Sequence, residues 1–348
     1  MPSASMHASG VIVVCLLAFL AVPAPVFAAD GEISVQGNKF LRDGKPWIAR
    51  GVTIVGVVAP EKSLRGPYVQ AHKFFGPAEL DAAKQYGADL IRFQVSQAGS
   101  NKLSGIYSDD YLDAVKSAVA LARGKGFSVI VSLQSEKPSG VDETGMPNEK
   151  AVQAWQSLAP LFGDDRGVML EIFNEPSPNG PDTTSSHDWD TWQKTMQPLV
   201  DEIRRRGARN VLLLDGLYWS QVLDGAPRLN DPLSQVAYAE HPYMSPRLRN
   251  RQDWESMFGR FASNHPVMVT EWNATGRKNC IPSVPQWAAD MLAYLHEHQI
   301  GLVGWAFDLP GTLSANYDWS MTNYNGFYCG PVERFGAGEL IHNYFMAQ

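Results

Sequence analysis

The feature that most constrains the fold of this chain is a regular alternation between short apolar segments and longer amphipathic ones. Segments that are apolar along their whole length are typical of strands buried on both faces of a parallel sheet, and amphipathic segments between them are typical of crossover helices. Eight strand candidates follow one another along the chain: Trp47–Val55, Leu90–Val95, Ser128–Leu133, Val168–Phe173, Val211–Leu214, Val236–Ala239, Val267–Thr270 and Leu302–Phe307. The helical candidates are Pro77–Tyr86, Asp109–Arg123, Glu149–Phe162, Asp188–Arg206, Asp253–Ser263, Val284–His298 and Gly336–Ala347, and the fifth crossover, Tyr218–Leu233, has only a weak helical pattern.

Such an alternation can form either a doubly wound open sheet or a closed (β/α)8 barrel. An open sheet usually carries a glycine-rich phosphate-binding turn after its first strand, and Val55–Ser63 contains no such turn. The pattern therefore predicts an α/β fold, a (β/α)8 TIM barrel, as a single domain over residues 30–348, with a short hairpin at Ile33–Trp47 closing the barrel bottom. About 320 residues lie within the size range of one such barrel.

The first 29 residues have the pattern of a secretory signal peptide. An apolar run at Val11–Ala21 is followed by Pro23, Pro25 and the small-residue stretch Val26–Ala29, and we expect cleavage after Ala28 or Ala29. The alternative is a membrane anchor, which needs roughly 20 apolar residues, and the prolines interrupt this run earlier. The sequence therefore predicts a protein that is secreted, either extracellular or periplasmic, with no membrane association after cleavage.

Two cysteines, Cys280 and Cys329, remain in the mature chain. An even number of cysteines in an oxidising compartment favours one disulfide bond, which would join the loops after the seventh and eighth strands. Two unpaired buried thiols are the alternative.

The long connections follow strands rather than helices, and in a (β/α)8 barrel the loops after the strands build the active site. The net charge is −7, which argues against a nucleic acid ligand and favours an uncharged one. The long connections are Val55–Gly76, Gln134–Asn148, Asn174–His187, His241–Gln252, Trp272–Pro285 and Asp308–Phe335.

Two glutamates end apolar strands that otherwise exclude charge. Asn174-Glu175-Pro176 follows the fourth strand and Glu271-Trp272 follows the seventh. Glycoside hydrolysis needs such a pair, because one carboxyl group must protonate the leaving oxygen while a second, ionised one attacks or stabilises the sugar cation. A separation of about 5 to 5.5 Å would make the reaction retaining.

These motifs resemble the retaining barrel glycosidases, and in detail they resemble glycoside hydrolase family 5, the cellulase and mannanase family, over essentially the whole mature chain. Further matches are Arg92 at the second strand, His241-Pro242-Tyr243 after the sixth and Trp305 at the eighth. The chain departs from the family at Gln134, where the family usually has a histidine after the third strand.

The resemblance implies that Glu175 is the acid/base catalyst and Glu271 the nucleophile. It also implies that Arg92 and Tyr243 keep Glu271 ionised and that Asn174 binds the sugar 2-hydroxyl, with His241 as a hydrogen-bond donor. The remaining candidates for substrate binding are Gln134, Trp272, Trp305, Tyr317 and Trp319, the last two in an aromatic eighth loop that alternatively packs only on itself.

The expected activity is metal-independent and cofactor-independent hydrolysis of a β-linked polysaccharide or oligosaccharide by a monomer. The zinc-binding pattern His-Glu-x-x-His does not occur, nor does the Gly-x-Ser-x-Gly motif of serine hydrolases. A β-1,4-glucan is the expected substrate, with β-mannan, β-1,3-glucan, xyloglucan, aryl glucosides and transglycosylation as alternatives of the same chemistry. A non-catalytic carbohydrate-binding barrel is the alternative from another class.

Overall fold

The computed structural model describes Met1 and residues 31–135, 145–178, 186–274, 284–310, 312–314, 317 and 338–348. Eight parallel strands form a closed barrel in which each strand pairs with its neighbours in the sequence and the eighth pairs with the first. The barrel strands are Arg50–Ile54, Leu90–Ser96, Ser128–Gln134, Val168–Glu171, Leu212–Asp215, Val236–Glu240, Val267–Trp272 and Gly301–Gly304. The predicted (β/α)8 barrel is confirmed.

Helices surround the barrel, and their bounds lie close to those expected from the amphipathic pattern. The longer ones are Pro67–Phe74, Pro77–Gln85, Asp109–Gly124, Glu149–Phe162, Ser186–Arg205, Val284–His298 and Gly338–Met346. Side-chain caps explain two of the starts, because Ser108 accepts a hydrogen bond from the backbone of Tyr111 and Asn148 accepts one from Lys150. Apolar residues of the strands' outer faces and of the helices form the largest core between the two layers.

Two segments differ from their sequence-based prediction. The helix expected at Asp253–Ser263 begins at Arg251, because Asn250 caps it, and Glu255–Gly259 is a wider π-helical turn before Arg260–Ala262. In the weak fifth crossover only a single turn forms, at Leu217–Ser220.

The N-terminal hairpin lies at the bottom of the barrel as expected, but it has three antiparallel strands, Ile33–Gln36, Lys39–Arg42 and Lys45–Pro46. Ile33 and Phe40 from this sheet pack in one buried cluster with inward-facing strand residues such as Ile130 and Met169. These apolar contacts close the barrel at the end opposite Glu175 and Glu271. Within the described residues, no helix is long and apolar enough to cross a membrane.

A buried carboxyl pair lies beneath the first and eighth strand ends. Both carboxylate oxygens of Asp308 accept hydrogen bonds from the backbone N–H of Val55, at 3.0 and 2.8 Å. Burial raises the pKa of Asp308 to about 7. Burial, together with the charge of Asp308, raises the pKa of Glu79 well above its ordinary value. Since the folded pKa of Asp308 exceeds its unfolded one, its contribution to stability is complete below about pH 4 and is lost as the pH rises through about 7.

Asp308→Asn is expected to reduce the fall in the free energy of unfolding between pH 5 and pH 8, because asparagine keeps a hydrogen-bond acceptor for Val55 without a titrating charge. A pKa difference of about three units corresponds to about 4 kcal/mol over the full window. Urea denaturation at pH 5, 7 and 8 measures the effect, with Asp224→Asn as the exposed control. Identical pH dependence in both variants would refute the assignment.

Candidate active site

Glu271 lies at the carboxyl end of the seventh barrel strand, next to an irregularity in its pairing with the eighth. The register shifts between Val269 and Trp272, and such bulges redirect side chains near active sites. Oε2 of Glu271 accepts hydrogen bonds from Arg92 Nη1 at 2.8 Å and from Gln94 Nε2 at 3.3 Å. Oε1 of Glu271 accepts one from the Tyr243 hydroxyl at 3.0 Å. Three donors on one carboxylate favour its ionised form.

Glu175 follows the fourth strand in a left-handed backbone conformation, with φ of 51°. Its backbone N–H donates to Asp215 Oδ2 at 2.9 Å, and its Oε1 lies 2.9 Å from His241 Nδ1. Burial raises the pKa of Glu175, and the charge of Glu271 adds to this effect, although the hydrogen bond with His241 opposes it. A carboxyl group that stays protonated in the free enzyme suits a general acid.

The two glutamates face each other across the barrel mouth. One oxygen of Glu175, one oxygen of Glu271 and a ring nitrogen of His241 all lie within 4.8 Å of one another. In retaining glycosidases the two carboxyl groups are about 5 to 5.5 Å apart, whereas inverting enzymes need about 6.5 to 9.5 Å to admit a water molecule. The geometry is that of a retaining pair.

Beneath this pair, Arg92 and Glu171 form a fully buried ion pair. Arg92 Nε donates to Glu171 Oε2 at 2.6 Å and Arg92 Nη2 donates to Glu171 Oε1 at 2.9 Å. Burial alone would raise the pKa of Glu171, but the charge of Arg92, its hydrogen bonds and the nearby His241 outweigh this effect and hold that pKa below its usual range. Arg92 Nη2 also donates to Asn174 Oδ1 at 2.7 Å, so one guanidinium orients three residues of the site.

His241 connects Glu175 to the interior of the barrel. Its Nε2 lies 2.9 Å from Thr270 Oγ1, and that hydroxyl donates to Glu171 Oε1 at 3.0 Å. Glu171, Asp215 and His241 offer atoms within 4.8 Å of one another, a spacing that a metal ion can bridge. The Glu171 oxygens already accept bonds from Arg92 and Thr270, however, and both nitrogens of His241 have partners, so we interpret the cluster as a hydrogen-bond network.

Two other residues expected to touch substrate lie at the rim of the site. Gln134, in the position where family 5 usually has a histidine, is nearly buried and donates from Nε2 to Ser132 Oγ at 2.9 Å. Trp305 is half-buried and packs against an apolar cluster under the first loop. The eighth strand ends at Gly304 rather than at the expected Phe307, and the Trp305–Ala306 peptide bond is cis.

The prediction that Trp272 contacts substrate is wrong. Successive side chains of a strand point to opposite faces. The residue after Glu271 therefore points away from the barrel interior and towards the surrounding helices. Its side chain is 0% exposed and its ring lies 6.1 Å from that of Trp287 in the helical layer. Trp272 therefore packs between the seventh strand and the helix Val284–His298.

Tyr317 stacks on Phe74 of the helix Pro67–Phe74, with ring centroids 5.0 Å apart and an angle of 16° between the rings. Phe74 is 43% exposed, so the pair forms part of the outer surface beside the first and eighth loops. Trp319, Cys280 and Cys329 lie outside the described residues, as does the signal segment at residues 2–30. Their predicted roles stay predictions.

Sequence reasoning missed five residues of the site: Glu171, Thr270, Gln94, Asp215 and Trp219. Glu171 and Asp215 carried a usable signal, because each is an acidic residue within or at the end of an otherwise apolar strand. Trp219 is 39% exposed, and it lies in a turn where three successive non-glycine residues have positive φ. The backbone carbonyl of the next residue, Ser220, accepts a 2.6 Å hydrogen bond from His241 N, which brings this turn beside the catalytic pair.

Two glutamates lie this close at the ends of the fourth and seventh strands of a closed barrel, one with a raised pKa and the other hydrogen-bonded to an arginine, and together they define a retaining barrel glycosidase. Residues 71–309 match the family model described as cellulase, glycosyl hydrolase family 5. The chain therefore belongs to glycoside hydrolase family 5, and it is an O-glycosyl hydrolase of the retaining type.

Characterised relatives include glucan-active and mannan-active proteins. A cellulase from a Thermoanaerobacterium species is 25% identical over 305 residues, covering 82% of this chain and 72% of that protein. Endoglucanase C of Evansella cellulosilytica is 24% identical over 80% of this chain and 35% of its own length. A mannan endo-1,4-beta-mannosidase of Cellvibrio japonicus is 24% identical over 71% of this chain and 55% of its own length. The chain thus spans only part of the latter two proteins.

Solved structures share the fold across almost the whole chain. The β-glucanase of Saccharophagus degradans in complex with cellotetraose superposes with a TM-score of 0.68 at 21% identity, covering 95% of this chain and 99% of that one. The catalytic domain of an endoglucanase from Thermobifida fusca gives a TM-score of 0.64 at 18% identity, covering 91% and 97%.

Proposed function

We propose that this protein is a secreted endo-β-1,4-glucanase that acts by double displacement. The observation that carries the proposal is the pairing of Glu175 and Glu271 within 4.8 Å at the barrel mouth, where Arg92 donates a hydrogen bond to Glu271. The preference for glucan is supported by two of the relatives described above, the Thermoanaerobacterium cellulase and the Evansella cellulosilytica endoglucanase.

In the first step, Glu175 gives its proton to the glycosidic oxygen while an oxygen of Glu271 attacks the anomeric carbon. The carbon–oxygen bond to the leaving sugar breaks, and a covalent glycosyl ester with Glu271 forms. Once Glu271 is esterified its negative charge is gone, so the pKa of Glu175 falls and the carboxylate can act as a base. It then takes a proton from water, whose oxygen attacks the anomeric carbon and releases Glu271.

Endo action is supported by aromatic rings at the surface in the loops of the fifth strand and of the first and eighth strands. Trp219 follows the fifth strand, beside the acid/base catalyst, while Phe74 and Tyr317 belong to the loops of the first and eighth strands. Flat apolar faces suit the faces of pyranose rings. Rings on both sides of the cleavage point fit a chain that continues beyond it in both directions.

A polysaccharide panel tests this proposal. Carboxymethyl cellulose, mixed-linkage β-glucan, β-1,3-glucan, xyloglucan and mannan are incubated with the wild type and with Glu271→Ala, and reducing ends and product sizes are measured. We expect rapid release of mixed oligosaccharides from β-1,4-glucans by the wild type alone. Binding of glucan without hydrolysis by the wild type would contradict the proposal and favour a non-catalytic barrel.

Mannan is the second candidate substrate, because the Cellvibrio japonicus relative is a mannan endo-1,4-beta-mannosidase. Both substrates are β-1,4-linked and differ at the 2-hydroxyl, the group that Asn174 is expected to bind. A ratio of kcat/KM for mannan over β-1,4-glucan above one would replace the glucan assignment with the mannan one.

Trp219→Ala is expected to raise the KM for cello-oligosaccharides about tenfold, equivalent to about 1.4 kcal/mol of lost aromatic contact. The effect should be much smaller on an aryl glucoside, whose short leaving group reaches less of the turn. Leu233→Ala is the matched control, because that side chain is similarly exposed, at 38%, but lies in a distant segment. Equal effects of the two variants would remove Trp219 from the substrate contact.

We also propose that the mature protein begins at Ala29 or Asp30, is exported, is monomeric and carries a Cys280–Cys329 disulfide bond. The apolar run and small-residue stretch support export, and the even cysteine count supports the bond. N-terminal sequencing of the exported protein, thiol titration under denaturing conditions and light scattering test these points. Two free thiols in the exported protein would contradict the disulfide.

A further inference from the structure

Glu171 is a buried carboxylate that touches both halves of the catalytic machinery without facing the substrate. Two nitrogens of Arg92 donate to it, and the Thr270 hydroxyl donates to its Oε1 at 3.0 Å. Arg92 leads to Glu271, and Thr270 leads through His241 to Glu175. Its side chain is 0% exposed, so its role is exerted through these neighbours.

The direction of the hydrogen bonds around Thr270 fixes the proton on one ring nitrogen of His241. Glu171 is ionised, since two guanidinium nitrogens donate to it, and a carboxylate only accepts. The single hydroxyl proton of Thr270 therefore points to Glu171, and its oxygen must accept from His241 Nε2, 2.9 Å away. Nε2 carries a proton whatever the state of Glu175.

The surroundings favour a second proton, on Nδ1. Burial would lower the pKa of His241, but the neighbouring Glu171 carboxylate and the hydrogen bond with Glu175 outweigh this and raise it well above its ordinary value. Glu171 Oε1 lies 3.6 Å and Asp215 Oδ2 lies 3.8 Å from Nε2. The other titratable or charged groups around the ring are Glu175 and Glu271 on the substrate side, Glu240 beside it on the sixth strand, Tyr243 and Arg92.

These neighbours leave a negative charge for an imidazolium to balance. Burial raises the pKa of Asp215 and of Glu240 well above their ordinary values, which favours the neutral form of both. Among the described residues, the carboxyl groups of Glu171 and Glu271 share a single buried guanidinium, that of Arg92. A positive His241 completes the charge balance.

We propose that Glu171, acting through Thr270, is a positioning residue that keeps both ring nitrogens of His241 protonated, so that Nδ1–H donates to Glu175 throughout the reaction. The inference rests on the proposed glycosidase function. When the glycosidic bond breaks, its electron pair goes to the leaving oxygen, which takes the proton from the second oxygen of Glu175. Glu271 forms the new bond to carbon, and the Glu175 carboxylate left behind is stabilised by Nδ1–H. In the second step Glu175 regains a proton from water, and both His241 protons stay in place.

Thr270→Val tests this connection because valine keeps the shape and removes the hydroxyl, while Thr270→Ser keeps the hydroxyl. Without an acceptor for Nε2–H, the fully protonated His241–Glu175 pair is destabilised. The alkaline limb of kcat/KM is expected to move to lower pH by about one unit in Thr270→Val, and Thr270→Ser is expected to restore the wild-type limb.

Long-range ¹H–¹⁵N NMR of histidine-labelled protein measures the same protons without any turnover. His241 is assigned by comparison with His241→Asn. In the wild type we expect both ring nitrogens to be protonated at pH 7, and in Thr270→Val we expect the ring to lose a proton at lower pH.

Three outcomes would overturn the inference about His241, and a different one would overturn the proposed function. A wild-type His241 that is neutral at pH 7 overturns the inference, as does a Thr270→Val ring that titrates like the wild type. Equal shifts in Thr270→Val and Thr270→Ser also overturn it, since they would reflect packing alone. A wild type that cleaves no glycan overturns the proposed function, while the NMR spectra still decide the protonation of His241.

Discussion

Replacing Glu271 with alanine is expected to lower hydrolysis of β-1,4-glucan by at least about 10⁴-fold, because no carboxylate remains to form the glycosyl ester. Glu271 receives hydrogen bonds from Arg92, Gln94 and Tyr243, and no other described carboxylate shares this position. The loss should appear in kcat, since substrate contacts elsewhere in the cleft are unchanged. Initial rates on soluble glucan measure it.

Azide distinguishes loss of the nucleophile from loss of folding. In Glu271→Ala the small anion can occupy the vacated volume and attack an activated aryl glycoside directly, giving an α-glycosyl azide in a single inverting step. Glu61→Ala, a change at an exposed glutamate of the first loop, is the control and should retain wild-type rates. Unchanged hydrolysis in Glu271→Ala would exclude this residue as the nucleophile.

Replacing Glu175 with alanine is expected to lower hydrolysis of unactivated glucan by about 10² to 10⁴-fold, the contribution typical of general acid–base catalysis. An aryl glycoside with a good leaving group needs little protonation, so its first step should survive as a burst of released phenol. The second step lacks its base and should be slow. Stopped-flow measurement of phenol release separates the two steps.

Two further results identify Glu175 by its chemistry. Added azide should restore turnover and yield a β-glycosyl azide, since it attacks the ester from the face where the activated water would attack. The alkaline limb of kcat/KM, which reports a pKa that burial raises, should disappear. An unchanged alkaline limb in Glu175→Ala would assign the acid to another group.

The barrel could be predicted because its signal is local. Strands buried on both faces are apolar throughout, and their alternation with amphipathic helices appears directly in the sequence. The ends of the strands were predicted less accurately. The eighth strand, Gly301–Gly304, ends three residues before the predicted end at Phe307. The π-helical turn at Glu255–Gly259 follows from tertiary packing and has no clear local signal.

The site could be predicted in part, for a different reason. Charged residues that end apolar strands stand out, which identified Glu175, Glu271 and Arg92. Trp272 belongs to the helical layer rather than to the cleft, because side chains alternate between the faces of a strand and its neighbour Glu271 occupies the inner face. The network from Glu171 through Thr270 to His241 depends on three strands meeting in space, and no sequence pattern encodes that meeting.

Trapping of the covalent intermediate tests the central claim most directly. A 2-deoxy-2-fluoro cellobioside with a dinitrophenyl leaving group forms the ester quickly and releases it slowly, because the fluorine destabilises both cationic transition states. Mass spectrometry of the digested protein should place one glycosyl group on the peptide containing Glu271. A glycosyl group on another residue, or full inactivation without any covalent label, would contradict the assignment of Glu271 as the nucleophile.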